Sequence, residues 1–311
     1  MTKKKPQEII PPVSRELIEA ELSDERFIRN TNKAGNKIYI VNHHNSPNTM
    51  QEIGRLREVA FRHAGGGTGL PLDIDEADTS ERCYEQLIVW SPEEKEIVGG
   101  YRFITGERAL NPDSGEFELS TSHYFTFTEK MKSEFLPHAI ELGRSWVQPS
   151  YQPSINPRKG LFALMNIWDG LGSLIIHYPE IKYLFGKVTM YTNYNKEARD
   201  LLLSFMSHYF PNRTDLCKPK EDLNAPHDKT LFNKLFQKDM SYEEGFKLLN
   251  KLLKERGEHV PPLINIYMGL SKTMITFGTA KNPDFGDVEE TGILVTIADI
   301  HQSVKDRHIN Y

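Results

Sequence analysis

Glu141 and Arg144 stand three residues apart in the apolar run PHAIELGRSWVQPSY, residues 137–151, with Gly143 between them and Ser145 beside them. An unpaired carboxylate or guanidinium in an apolar interior is expensive. The two charges therefore either satisfy each other as a structural pair or line a cleft where something is bound. Other charges share this setting. Arg57 falls on an apolar helical face, Arg102 sits inside the strand-like GGYRFI, and Asp75 and Asp78 lie in a loop just before Tyr84. All of them must find partners inside one fold. Clusters of this kind mark functional sites, although structural ion-pair networks share the pattern.

Other motifs carry less. GGGTG (65–69) lacks the Gly-Lys-Ser/Thr of a phosphate-binding loop, and Leu70 breaks a dinucleotide fingerprint, which leaves a flexible loop or lid. GRSWV (143–147) departs from a nucleophile elbow at Val147, where glycine is required. The eleven histidines include no pair on one helical face, and two cysteines, Cys83 and Cys217, make neither a zinc site nor a disulfide framework. No metal is expected, and His43–His44 reads as a loop pair. Net charge is -5 and the only tight basic run is Lys3–Lys5, so nucleic acid is not an expected partner. No stretch reaches the ~18–20 consecutive apolar residues of a spanning helix, and the start lacks the apolar core of a signal peptide. The cytoplasm is the expected compartment, with peripheral contact at the inner membrane face left open.

These residues need elements to position them. Residues 1–13 read as a loose N-terminus, and Ser14 as the cap of a helix through Glu25. KIYIV (37–41) reads as a strand. Met50, Ile53, Leu56, Ala60 and Ala64 repeat at helical spacing over 48–64. Strands follow at 84–90, 96–105 and 138–147, the first two joined by SPEEKE. Residues 160–177 are apolar nearly all round and predict a helix covered on several sides. A strand is expected over 182–194, helices over 196–209, 241–256 and 261–270, and two closing strands near 273–279 and 291–299. The order argues for an α/β or α+β mixed sheet flanked by helices, in one domain over 14–300 with a short tail at 301–311. Residues 211–240 fit a lid, a docking surface or plain packing equally well.

At this point the chain resembles a known family. ELGRSWV followed by PSY resembles the signature of the bacterial ornithine and glycine N-acyltransferases, GNAT-like enzymes often mislabelled hemolysins. NIWDGLGSLI resembles their tryptophan-containing helix, and PPLINIYMGL with PDFGDVEETGILVTI resembles their closing segment. NKIYIVNHHNSPNTMQEIGRLREVAFRHAGGGTG is similar to the Bacteroidetes glycine acyltransferase branch. The likeness covers roughly 14–300. A more distant similarity, to acyl-homoserine-lactone synthases, lies in the order Arg57 with Phe61, Asp75 with Asp78, Arg102, then Glu141 with Arg144.

The resemblance implies a GNAT-like fold with a twisted central sheet, and attack of an amine on a thioester. In that reading Glu141 is the base and backbone amides between splayed strands 138–147 and 184–194 hold the oxyanion. Arg144 or Arg102 pairs with an acceptor carboxylate, or simply holds Asp75, Asp78 or Glu141 in place. Ser145, Trp146, Val147 and Asn193 join Arg57, Phe61, Asp75 and Asp78 as substrate-binding residues, with Ser145 against the pantetheine arm. Trp146 stands where relatives often carry cysteine, which bears on chain or acceptor choice. Arg158 and Lys159 at a helix start would meet the carrier phosphate. The implied donor is an acyl carrier protein or coenzyme A thioester, with no cofactor, and Lys182, Lys187, Arg158 and Lys159 are docking candidates. The acceptor is a small amino acid, glycine first, and the product an aminolipid precursor. Ornithine or another amine, a thioester hydrolase, and a non-catalytic lipid- or carrier-binding protein are the competing readings.

Overall fold

The computed structural model describes residues 5–152, 155–221, 223 and 229–311. Helix α1 (Arg15–Glu21) leads to β1 (Phe27–Asn30), β2 (Lys37–Val41) and α2 (Pro47–Ala64). Pro47 sits in the first turn of α2, where a missing N–H costs nothing. Met50, Ile53, Leu56 and Ala60 recur on one face and are buried. The Glu21 carboxylate accepts from the Asn48 and Thr49 amides at 3.0 and 2.7 Å, tying α1 to the open N-terminus of α2. Gly65 ends α2 in the left-handed region, φ 96°, where a side chain would be strained.

One-turn α3 (Glu76–Thr79) precedes the hairpin β3 (Glu85–Ser91) and β4 (Glu96–Thr105), and one-turn α4 (Gly106–Ala109) follows. Next come β5 (Phe125–Phe127), β6 (Ala139–Val147), α5 (Pro157–His177), β7 (Tyr183–Met190) and α6 (Lys196–Tyr209). The chain finishes with β8 (Cys217–Pro219), α7 (Thr230–Leu235), α8 (Tyr242–Lys254), α9 (Pro262–Met268), β9 (Ile275–Asn282), β10 (Val288–Thr296) and α10 (Gln302–His308).

Among the described residues, eight strands form one sheet in the order β1-β2-β3-β4-β6-β7-β10-β9, and β5 pairs with β8 apart from it. Within the large sheet every neighbouring pair is antiparallel except β6–β7. That one parallel pairing is short, running from Ala139 opposite Tyr183 to Leu142 opposite Gly186. Beyond it β6 stays with β4 as far as Val147 opposite Gly99, and β7 stays with β10 as far as Met190 opposite Glu289. The two strands part, and the middle of the sheet opens. Gly186 stands at the fork. A Cβ there would lie 2.5 Å from the Leu142 carbonyl oxygen, so a side chain would push the strands apart one pair too early.

β6 also bulges. Gly100 faces Trp146 and Arg102 faces Gly143, so Tyr101 is matched by both Arg144 and Ser145. Arg144 takes φ 49° at the bulge, a conformation that side-chain-bearing residues seldom adopt.

One face of the sheet carries α5, α6, α8 and α9 over a large apolar core that includes Leu87, Tyr101, Leu142, Ile167, Trp168 and Leu253. The other face packs α1 and α2 over Tyr39, Ile88, Ile97 and Trp146. Helix α5 is the one helix among the described residues long and apolar enough to cross a membrane, but 61% of that window is buried inside the fold. Asn166 and Asp169 on it are buried as well, and His308 Nδ1 lies 2.7 Å from Asp169. It is packed as a core helix.

The expected strands and helices are present, with corrections at the margins. Residues 7–13 are tied down. The Gln7 and Ile10 amides donate to the Gly69 and Pro71 carbonyls, and Val13 donates to Glu52. Residues 301–311 are no tail: α10 lies on α5, and the Arg29 guanidinium stacks 3.6 Å over the Tyr311 ring. GGGTG is pinned by Glu58, which accepts from the amides of Thr68 and Gly69. The helix after Ser14 ends at Glu21, and the Ser14 hydroxyl bonds Glu16 rather than a backbone amide. The strand expected to 194 ends at Met190, because Tyr191–Tyr194 turn toward Asn195, the cap of α6.

Candidate active site

A cavity of about 530 Å³ opens where β6 and β7 part. On one side of the sheet it is apolar, walled by Leu142, Val147, Ile167, Trp168, Leu171 and Tyr267. On the other it is polar, with Arg102, Arg144, Ser120, Lys187, Tyr191 and Glu290. The edge of Gly143–Val147 that faces β7 has no strand beside it among the described residues, so its backbone groups look into the cavity mouth.

Behind the polar side lies a buried network of three arginines and three aspartates. Arg57, fully buried on α2, reaches Asp78 at 3.2 Å and Asp73 at 3.5 Å. Arg102 on β4 holds Asp75 at 2.7 Å and Asp78 at 3.1 Å. Arg144 holds Asp73 at 2.9 Å and Asp75 at 3.6 Å, and stacks 4.4 Å over the Phe285 ring. The network is neutral overall, as the burial of Arg57, Asp73, Asp78 and Arg102 demands, while Asp75 keeps 40% of its side chain exposed. Burial pushes the Asp75 carboxyl up, yet Arg102, Arg144 and Arg57 together hold it below the usual carboxylate range. Arg57, Asp73, Asp75 and Asp78 thus form a platform that holds Arg102 and Arg144 at the cavity wall.

Glu141 does not line the cavity. Its carboxylate is buried, and accepts from the Tyr84 hydroxyl, from the Ser120 and Thr121 amides at 3.1 and 2.8 Å, and from the Ser120 hydroxyl. A carboxylate already committed to these donors has little left for an incoming amine. The carboxylate anchors the turn that brings Ser120 to the cavity. Glu141 and Arg144 do not pair: the bulge separates them, and Arg144 turns to Asp73.

The profile of the family described as "Acetyltransferase (GNAT) domain" matches residues 56–158, which take in the second half of α2, the platform and β6. Two relatives are alike over nearly the whole chain. The chain is 51% identical to the glycine N(alpha)-acyltransferase of Bacteroides thetaiotaomicron over 97% of its length and 90% of that protein's. It is 48% identical to the glycine N(alpha)-acyltransferase of Phocaeicola vulgatus, over 97% and 93%. The chain belongs to the glycine N-acyltransferase branch of the GNAT acyltransferases. This acyltransferase brings Phe61, Arg102, Arg144, Ser145, Trp146 and Val147 to the cavity wall, six of the residues picked out from sequence. Phe61 meets Phe285 edge to face at 4.9 Å.

Other expected residues lie elsewhere. Arg158 is exposed in the first turn of α5, and Asn193 is exposed in the turn after β7 beside Gly65. Neither is on the cavity wall. Lys159 pairs with Glu94, and Lys187 is in the acyltransferase cavity rather than on a docking surface. Sequence reasoning missed Asp73, Tyr84, Ser120 and Glu290. Glu290 had the same signal as Glu141, a charge within a strand pattern, in VEETGILVT.

Proposed function

We propose that this acyltransferase moves a 3-hydroxyacyl group from an acyl carrier protein thioester to the α-amine of glycine, giving an aminolipid precursor. The acceptor rests on the relatives, both named for glycine. The observation that carries the reading is the fork of β6 and β7, which joins an apolar wall to a charged one in a single cavity.

In this reading the pantetheine arm lies along the open edge of Gly143–Val147, where backbone groups pair with its amides as another strand would, and Ser145 sits beside it. The acyl chain enters the apolar side. Two buried polar atoms there, the Tyr101 hydroxyl and the Trp168 indole N–H, have no hydrogen-bond partner among the described residues. A chain bearing a hydroxyl would satisfy one or both, whereas a plain alkyl chain would leave both orphaned. Arg144 offers the remaining edge of its guanidinium to the acceptor carboxylate. Attack of the amine puts negative charge on the former carbonyl oxygen, and an unpaired amide on the open edge of Gly143–Val147 would receive it. Arg158 and Lys182, both exposed, are the basic residues left to meet an acidic carrier.

The test is mass spectrometry of products from 3-hydroxypalmitoyl carrier protein offered glycine, ornithine and serine together. N-acylglycine as the main product is expected. N-acylornithine would correct the acceptor, and free fatty acid alone would replace transfer with hydrolysis.

A further inference from the structure

Among the described residues, Glu290 is the one carboxylate on the cavity wall. It projects from β10, where its backbone faces Thr189 of β7, and its side chain is 5% exposed. Among the described residues its carboxylate has a single hydrogen-bond partner, Lys187 Nζ at 2.6 Å. The other acidic groups of the site are spoken for. Asp73, Asp75 and Asp78 are bound to arginines, and Glu141 is enclosed by Tyr84, Ser120 and Thr121.

The groups facing Glu290 fit an ammonium beside a carboxylate. Lys187 lies 5.0 Å from the centre of the Tyr124 ring and fixes one side of Glu290. Burial first, then the charge of Glu290, pushes the phenols of Tyr191 and Tyr124 up to about 12, while Arg144 opposes both shifts. Asp284 and Asp75 also raise Tyr124. Glu290 and Arg144 therefore act on the same pair of phenols from different strands, one negative and one positive. A zwitterionic amino acid has its two charges arranged to meet such a pair.

We propose that Glu290 binds the α-ammonium group of the acceptor and removes its proton, with Lys187 positioning the carboxylate. The assignment rests on the amine-acceptor reading above. One proton passes from the ammonium nitrogen to Glu290 and on to solvent. The freed lone pair forms the C–N bond, the C–S bond breaks, and the second nitrogen proton goes to the leaving thiolate, giving amide and thiol.

The experiment compares wild type, Glu290→Gln, Glu290→Asp and the pair Glu290→Gln/Lys187→Gln, measuring N-acylglycine formation across pH and thermal unfolding of each protein. The double variant removes both members of the buried pair, so it separates loss of the base from an unpaired lysine. Glu290→Gln and the double variant are expected to lose on the order of a hundredfold in rate at neutral pH. That deficit should narrow as pH rises through the ammonium pKa of free glycine, because the neutral amine then arrives without help. Glu290→Asp should retain the most activity of the variants. A folded double variant within about threefold of wild type at neutral pH overturns the assignment, as does a deficit that stays constant with pH. Wild type that makes no N-acylamino acid overturns the underlying reading, a result separable from failure of Glu290 alone.

Discussion

Arg144 Nε lies 2.9 Å from Asp73 Oδ2, and this ion pair holds an arginine in the left-handed region at φ 49°. The bulge of β6 beside the cavity therefore depends on a charge partner from the loop after α2. Strained backbone persists when its surroundings over-determine it, and here Asp73, Asp75 and the Phe285 ring do so. Replacement separates strain from charge. Arg144→Gly should be more stable than Arg144→Ala by about 1 kcal/mol in urea unfolding, because glycine takes this φ freely. Both should lose activity alike, since both lose the guanidinium. Equal stability would mean the bulge carries no strain.

Glu141 is expected to behave as an anchor. Glu141→Gln turns one accepting oxygen into a donor facing other donors, which should cost about 1–3 kcal/mol of stability. The pH dependence of the rate should keep its wild-type shape. A shifted pH profile with unchanged stability would return the base role to Glu141.

Acid stability carries a sign that can be checked. With its folded pKa below the unfolded one, Asp75 contributes stability that is present above the ordinary aspartate pKa of ~3.9 and lost as pH falls below it. The difference in unfolding free energy between wild type and Asp75→Asn should therefore shrink between about pH 5 and pH 3. A difference independent of pH would show that the three arginines do not act on Asp75 through its charge.

The fork of β6 and β7 needs Gly186. Gly186→Ala forces a Cβ against the Leu142 carbonyl and should cost about 1–3 kcal/mol, as overpacking does. Activity should fall by more than stability alone explains, with KM for the acyl donor rising. Wild-type kinetics in this variant would show that the fork does not hold the donor.

Acyl-chain choice should answer to Tyr101 and Trp168. Tyr101→Phe and Trp168→Phe each remove one orphaned donor. Each should lower the preference for 3-hydroxyacyl over unsubstituted acyl donors by about fivefold or more, the worth of one hydrogen bond. Competition between the two donors in one vessel gives the ratio directly.

Much of this was legible in the sequence, for identifiable reasons. Helix α2 announced itself through apolar spacing, and Arg57, Arg102 and Arg144 through charge in apolar surroundings. The sense of Glu141 was not legible. A buried carboxylate in a strand looks the same whether it faces substrate or a turn of backbone amides, and the amides of Ser120 and Thr121 come from a segment without periodicity. Glu290 was hidden differently. Its meaning comes from lying next to Lys187 across two strands about a hundred residues apart in sequence, a contact that register sets and spacing does not. The N-terminal strap reads as loose because Pro6, Pro11 and Pro12 stand in a segment with little to bury, whereas the Gln7 and Ile10 amides find partners in the Gly69 and Pro71 carbonyls.

Thioester and amine are proposed to meet at the fork of β6 and β7. The most direct measurement is a crystal structure with glycine and an acyl-pantetheine amide that cannot be cleaved. The pantetheine arm should lie along Gly143–Val147, with the chain against Leu142, Ile167 and Trp168 and the glycine nitrogen beside Glu290. An analogue bound outside this cavity, or a chain on the charged side of the sheet, would rule out the fork as the place of reaction.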